Sequence, residues 1–329
     1  MRRQRRRHRS VRTGRPIGVV SGFRPCSGRE DSVGSRGASL VAGQYEADEY
    51  RPRANVGSVM FLEAIRRRRG ARVDDDFPWT VPALRSLREL CFTAPVTFLM
   101  GENGCGKSTL LEALAVAVEA RAAGAEEVDA DATLAGSRRL AEAFEAVERG
   151  RPRNRVFFRA EDAFGFTKRI EREMKEIDAE ADAMLRDEKA SEFRRRLGSN
   201  ITRSSRYSLA AKYGDEPHAR SHGETFLGIV RAQLHEGGLY LLDEPETPLS
   251  PIRMLTLLTI LSNAVRRGSQ FIIATHSPIL AAFPGASILV FNGEKLAETP
   301  YGELEHVRVT RDFLNAPQRY LRQLGVTSA

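Results

Sequence analysis

Nine consecutive residues, Gly101-Glu102-Asn103-Gly104-Cys105-Gly106-Lys107-Ser108-Thr109, limit most sharply what this chain can fold into. Before them runs Val96-Thr97-Phe98-Leu99-Met100, a short apolar stretch rich in β-formers that reads as a buried strand. After them Leu110, Leu111, Leu114 and Val118 recur at helical spacing. Strand, glycine loop and helix in this order satisfy G-x-x-x-x-G-K-[ST], a loop that wraps phosphate groups. Gly101, Gly104 and Gly106 let the backbone bend and bring N–H groups close to phosphate oxygens. The helix starting near Lys107 adds the partial positive charge of its N-terminus. Lys107 is placed to reach the β- and γ-phosphates, and the Ser108 hydroxyl to ligate Mg²⁺. The expected nucleotide contacts are therefore Gly101, Asn103, Gly104, Cys105, Gly106, Lys107, Ser108 and Thr109. A glycine turn that binds nothing has no need of Lys-Ser at its helix start.

A length of 329 residues allows one large domain or two smaller ones, and no apolar run is long enough to span a membrane. The three cysteines, Cys26, Cys91 and Cys105, show neither a disulfide-framework nor a zinc-site spacing, which points to a reducing, cytoplasmic setting. The formal charge of +8 is unevenly placed. Before Met60 there are thirteen arginines, no lysine and five acids, so that segment alone carries the whole excess. From Met60 onward acids and bases are equal in number. A basic whole-chain balance thus says nothing about nucleic-acid binding by the remainder.

Residues 1–56 lack periodicity, are rich in Arg, Gly and Ser, and are expected to be disordered. They read as a basic arm, as a transit peptide, or as residues upstream of a native start at Met60. Residues 57–329 read as the folded part, with a helical subdomain at about 130–220. Its entry is β-rich, with strands expected at Val59–Ile65 and Glu89–Thr93. Between these lie Phe77 and Trp79, either of which could stack on a base, although packing is the commoner use of such rings. Arg66–Arg69 fits a solvated turn or a phosphate contact. An Ala-rich helix is expected at about Thr133–Glu148, a strand at Val156–Arg159, and an amphipathic helix from Ile170 to about Leu197. Ser204–Arg220 reads as loop, and Thr310–Leu324 as a terminal helix.

Ser221-His222-Gly223-Glu224 precedes an apolar helix beginning near Phe226. S-x-x-E there is a capping box, and the same geometry suits an anion presented from elsewhere. Leu239-Tyr240-Leu241-Leu242-Asp243-Glu244 is an apolar strand ending in two carboxylates, the Walker B pattern. Asp243 sits where it can support Mg²⁺, and Glu244 where it can polarise an attacking water. Two such acids after buried apolar residues are costly without a task. Phe271–Thr275 is another buried strand, followed at the sheet edge by His276.

With this P-loop, Ser-His-Gly-Glu, Asp-Glu-Pro-Glu and Thr-His-Ser-Pro in order, the chain from Met60 to Leu324 resembles the ATP-binding cassette ATPases. More narrowly, it is similar to soluble ATPases often labelled AAA family and to the heads of chromosome-maintenance and double-strand-break-repair ATPases. The resemblance implies an α/β P-loop NTPase fold. Its core sheet would be mostly parallel and flanked by helices, with an N-terminal antiparallel β part and a helical insertion. It implies ATP and Mg²⁺ as ligands, Glu244 as catalytic carboxylate and His276 as the switch histidine sensing the γ-phosphate. It further implies that Ser221 and Gly223 complete the site of a second copy, giving an ATP-dependent homodimer whose interface includes Thr247–Ser250.

Three departures follow. The signature is Ser-His-Gly-Glu where transporters carry Leu-Ser-Gly-Gly-Gln. No glutamine occurs between Ser108 and Ser221, so Glu161, just past a strand, is the candidate replacement near Mg²⁺. Ser250 stands where many relatives have an interface Asp. The expected activity is Mg²⁺-dependent ATP hydrolysis that drives dimerisation and moves a partner, protein or DNA. The competing expectations are a low-turnover ATP switch, a DNA-linked repair or defence ATPase, and a transporter's energising subunit.

Overall fold

The computed structural model describes residues 60–123, 135–214 and 222–326. The Arg-rich segment 1–56 lies outside the described residues. Two sheets form. The smaller is antiparallel, with β1 (Leu62–Arg67) between β2 (Glu89–Cys91) and β5 (Phe144–Glu148). The larger has the order β10 (Lys295–Glu298), β9 (Ser287–Asn292), β3 (Val96–Met100), β8 (Gln270–Ala274), β7 (Leu239–Asp243), β6 (Arg155–Arg159), β4 (Arg121–Ala122). Every pairing in it is parallel except β9 with β10. This is the mostly parallel α/β sheet with an antiparallel entry that the sequence leads one to expect.

The central strands are apolar without interruption because both faces are covered. Alternate residues serve two cores. Leu99, Leu241 and Ile272 face the small sheet, together with Leu110, Leu111 and Leu114 of α2 (Lys107–Ala117). Phe98, Tyr240, Leu242, Phe271 and Ile273 face the other way, onto α6 (His222–Gln233) and α7 (Pro251–Arg266). The helix that follows the P-loop therefore lies between the two sheets. One buried side chain also ties them together. Gln270 Oε1 accepts from the Phe61 and Leu62 N–H groups at 2.8 and 2.9 Å, and its Nε2 donates to Leu62 O at 2.9 Å.

Several local expectations need correction. The helix expected over 133–148 is the short α3 (Ala135–Glu142) followed by β5. Pairing of Phe144–Glu148 with β1 outweighs the helical propensity of the alanines. The amphipathic helix is two helices, α4 (Asp162–Arg186) and α5 (Glu192–Tyr213), which pack against each other. Ser191 caps α5, and that helix runs through most of the stretch read as loop, because the two helices shield each other's polar backbone. The terminal helix is α9 (Glu305–Asn315) and α10 (Pro317–Gln323), broken where Pro317 withholds its N–H. Two short helices, α1 (Pro82–Ser86) and α8 (Pro278–Ala281), complete the set.

Candidate functional site

The carboxyl ends of three adjacent strands build the site. β8 lies between β3 and β7, and Ala274 is in register with both Leu99 and Asp243. The glycine loop after β3, the acids after β7 and His276 after β8 therefore emerge side by side. Such an edge is where open α/β sheets place ligands.

Two glycines in the loop cannot be replaced without movement. Gly101 has φ +147°, and a Cβ there would lie 2.8 Å from Cys105 Sγ and 3.0 Å from Phe291 Cβ. Gly106 has φ +101°, and its Cβ would meet Val81 Cγ1 at 3.0 Å. The loop thus leads into α2 with backbone where side chains would stand. Lys107 is buried, and its Nζ donates to Gly101 O at 3.1 Å and to Glu102 O at 2.9 Å. The ammonium is held over the loop it belongs to.

Ser108 Oγ donates to Asp243 Oδ1 at 3.1 Å. Burial pushes the Asp243 carboxyl up to about 7, and the charges of Glu112 and Glu244 add to this. The Ser108 hydrogen bond and the nearby Arg159 guanidinium work in the opposite direction. Arg159 is in register with Asp243 on β6 and pairs with Glu112 on α2, which also accepts from Ser137 Oγ. A hydroxyl beside a buried carboxylate would fit a hard divalent cation.

Glu244 departs from the strand with φ +44°, an uncommon conformation for a side chain of its size. Its N–H donates to Ala274 O at 2.9 Å and its C=O accepts from Thr247 N–H at 3.0 Å, so the turn is fixed at both ends. His276 Nε2 stands 3.7 Å from Glu244 Oε1, beyond hydrogen-bond reach. That nitrogen is buried and has no hydrogen-bond partner among the described residues. Burial, then the Lys107 charge, push the imidazole below its usual range, while Glu244 works against them.

A cavity of about 640 Å³ joins these groups. Of the expected residues, Asn103, Gly104, Gly106, Lys107, Ser108, Thr109, Glu244 and His276 line it. Gly101 and Cys105 lie in the loop beneath its lining, and Asp243 lies behind Ser108. The two aromatic rings differ in burial. Trp79 is 2% exposed and packs in the core, whereas Phe77 is 48% exposed and borders the cavity.

Glu161 stands apart. It is exposed, precedes the first turn of α4, and does not line the cavity. Arg159, not Glu161, meets the P-loop helix where β6 ends, so the chain has already turned away. Ser221 lies outside the described residues. Gly223 does not line the cavity either. It packs on the loop after β7, where a Cβ would come 2.7 Å from Pro248 O. Three residues, Val81, Glu246 and Thr247, line the cavity without having been expected there. Glu246 Oε1 accepts the main-chain N–H of His276 at 2.7 Å, and Thr247 borders the same space. Glu246 appears in the sequence as the last residue of Asp-Glu-Pro-Glu, with no role read for it.

Residues 90–247 match the family model described as ABC transporter. A search of curated proteins returns no significant match. Among solved structures, the chain is similar to a metal-chelate type ABC transporter in an inward-facing conformation, at 13% identity, covering 76% of this chain and 88% of that one with a TM-score of 0.41. The ATP-binding subunit of an ABC transporter is 14% identical, with 82% and 95% covered and a TM-score of 0.38. The SMC head domain from Thermotoga maritima is 14% identical, with 73% and 99% covered and a TM-score of 0.36.

Proposed function

The chain carries a P-loop ATPase domain of the ATP-binding cassette type, an ATP hydrolase, and on that premise we propose that two copies close on ATP and reopen on hydrolysis, moving a bound partner. Lys107 and the N–H groups of the loop bind the phosphates. Ser108 and Asp243 would hold Mg²⁺, which would supply charge neutralisation at the phosphate oxygens. Glu244 accepts the proton of the attacking water, and His276, in the form that carries its proton on Nε2, donates to a γ-phosphate oxygen. Phe77 stacks on the adenine. Ser221 and Gly223 of a second copy face the γ-phosphate from the open side.

The observation that carries this reading is the convergence at one sheet edge of Lys107, the Ser108–Asp243 pair, and Glu244 with His276 at 3.7 Å. The dimer is tested by Glu244→Gln, which keeps the shape of the side chain and removes the base. With ATP this variant is expected to accumulate as a dimer in light scattering. A variant that binds ATP and stays monomeric would remove the dimer from the proposal.

A second reading is a switch that binds ATP and turns over little. It is favoured by the absence of glutamine between Ser108 and Ser221 and by the position of Glu161 outside the cavity. Steady-state turnover near the low end of the enzymatic range, below roughly 1 s⁻¹ with or without a partner, favours the switch. Among the described residues no helix is long and apolar enough to cross a membrane.

A further inference from the structure

His276 is held unevenly. Its main chain is fixed by the hydrogen bond from its N–H to Glu246 Oε1 at 2.7 Å. That bond sets where the Cα lies and leaves two side-chain torsions to be decided by packing. Nε2 makes no hydrogen bond among the described residues, and Glu244 is too distant to supply one. What meets the ring is a second imidazole. His306 lies with its ring centroid 5.6 Å from that of His276, at an interplanar angle of 56°.

His306 is itself well anchored. It sits in the first turn of α9 between Leu304 and Val307, both buried in the core beneath the large sheet. The backbone on both sides of His306 is therefore pinned, and its ring presents a fixed wall. Its proximity also helps to push the His276 imidazole below its usual range, after burial and the Lys107 charge.

We propose that His306 is a positioning residue for His276, its ring packing against the imidazole so that the imidazole keeps its place in the wall of the cavity. This rests on the reading that His276 meets the γ-phosphate during hydrolysis. His306 touches neither nucleotide nor Mg²⁺ and acts only through its neighbour. A ring of the right size is what the contact requires, and hydrogen-bonding capacity is not.

The test compares steady-state ATP hydrolysis and fluorescent-nucleotide affinity for His306→Ala, His306→Phe, His276→Ala and the double variant His276→Ala/His306→Ala. His306→Ala is expected to lower kcat about tenfold, as misplacement of a reacting group does, with KM and nucleotide affinity unchanged within about twofold. His306→Phe restores most of the loss, and the double variant is no slower than His276→Ala alone. If His306→Ala does not accumulate as folded protein, His306→Leu, similar in bulk without a planar ring, takes its place with the same expected loss. The proposal is overturned if His306→Ala hydrolyses normally while His276→Ala does not, if His306→Phe is as slow as His306→Ala, or if the two losses multiply in the double variant. Normal hydrolysis by His276→Ala would instead overturn the underlying role of His276, and the proposal with it.

Discussion

Asp243 is the residue whose chemistry is most altered by its surroundings. Burial, chiefly, pushes its carboxyl up to about 7 from the ordinary 3.8. Between those two values the folded chain keeps a proton that the unfolded chain has released. Stability from this group is fully present below the unfolded pKa and is lost as pH rises through about 7. Asp243→Asn removes that dependence while keeping the shape. The difference in Tm between Asp243→Asn and the parent is therefore expected to grow in favour of the variant from about pH 5 to about pH 8. Scanning fluorimetry in the absence of Mg²⁺ and nucleotide reads this directly, and a pH-independent difference would contradict it. Residues of this kind were legible in the sequence because phosphate and cation chemistry accepts few side-chain types. Lys107, Ser108, Asp243 and Glu244 announce themselves by type and spacing. Glu246 and His306 do not. Their roles arise from where a turn after β7 and the first turn of α9 bring them, and nothing local marks either as a neighbour of His276.

At the scale of elements, the packed pair α4 and α5 shows what burial decides. Met174 on α4 is 4% exposed and Ala181 is fully buried, whereas Phe193, Leu197 and Ile201 on α5 are 77%, 48% and 62% exposed. Met174→Ala is expected to cost roughly 2–5 kcal/mol by removing buried methylenes and leaving a void. Replacing Phe193, Leu197 and Ile201 together by Ser is expected to change stability by less than about 1 kcal/mol, since these side chains bury little. Urea denaturation of the two variants separates the outcomes, and equal losses would mean that the exposed stripe is covered in solution. Here the sequence spoke less clearly. Apolar spacing predicts a helix from Ile170, but neither the break at Asp187–Ser191 nor the return of α5 is written in that periodicity. The short strand β5 was hidden for the complementary reason. Alanines before it favour helix, and only its partner β1, remote in sequence, makes it a strand.

At the scale of the molecule, two sheets enclose the P-loop helix and Gln270 fastens one to the other. Its amide satisfies the N–H groups of Phe61 and Leu62 and the C=O of Leu62. Gln270→Leu leaves these groups buried without partners, at about 1–3 kcal/mol for each. A lowered denaturation midpoint is expected, together with faster amide exchange at Phe61 and Leu62 than in the parent. Unchanged exchange at those two positions would show that the amide is not what joins the sheets. The parallel order of the large sheet was foreseeable from its apolar runs, but Gln270 gives no sign of its task, because a polar residue at the start of a strand is ordinarily a surface residue.

The position of β8 has one more consequence. Bonded along both edges, to the strand that carries the phosphate loop and to the strand that carries the acids, it is a tongue seated in two grooves. It cannot slide toward one neighbour without breaking from the other. What remains outside that double bonding is what hangs beyond the strand ends: the ring of His276 and the turn from Glu244 to Ser250.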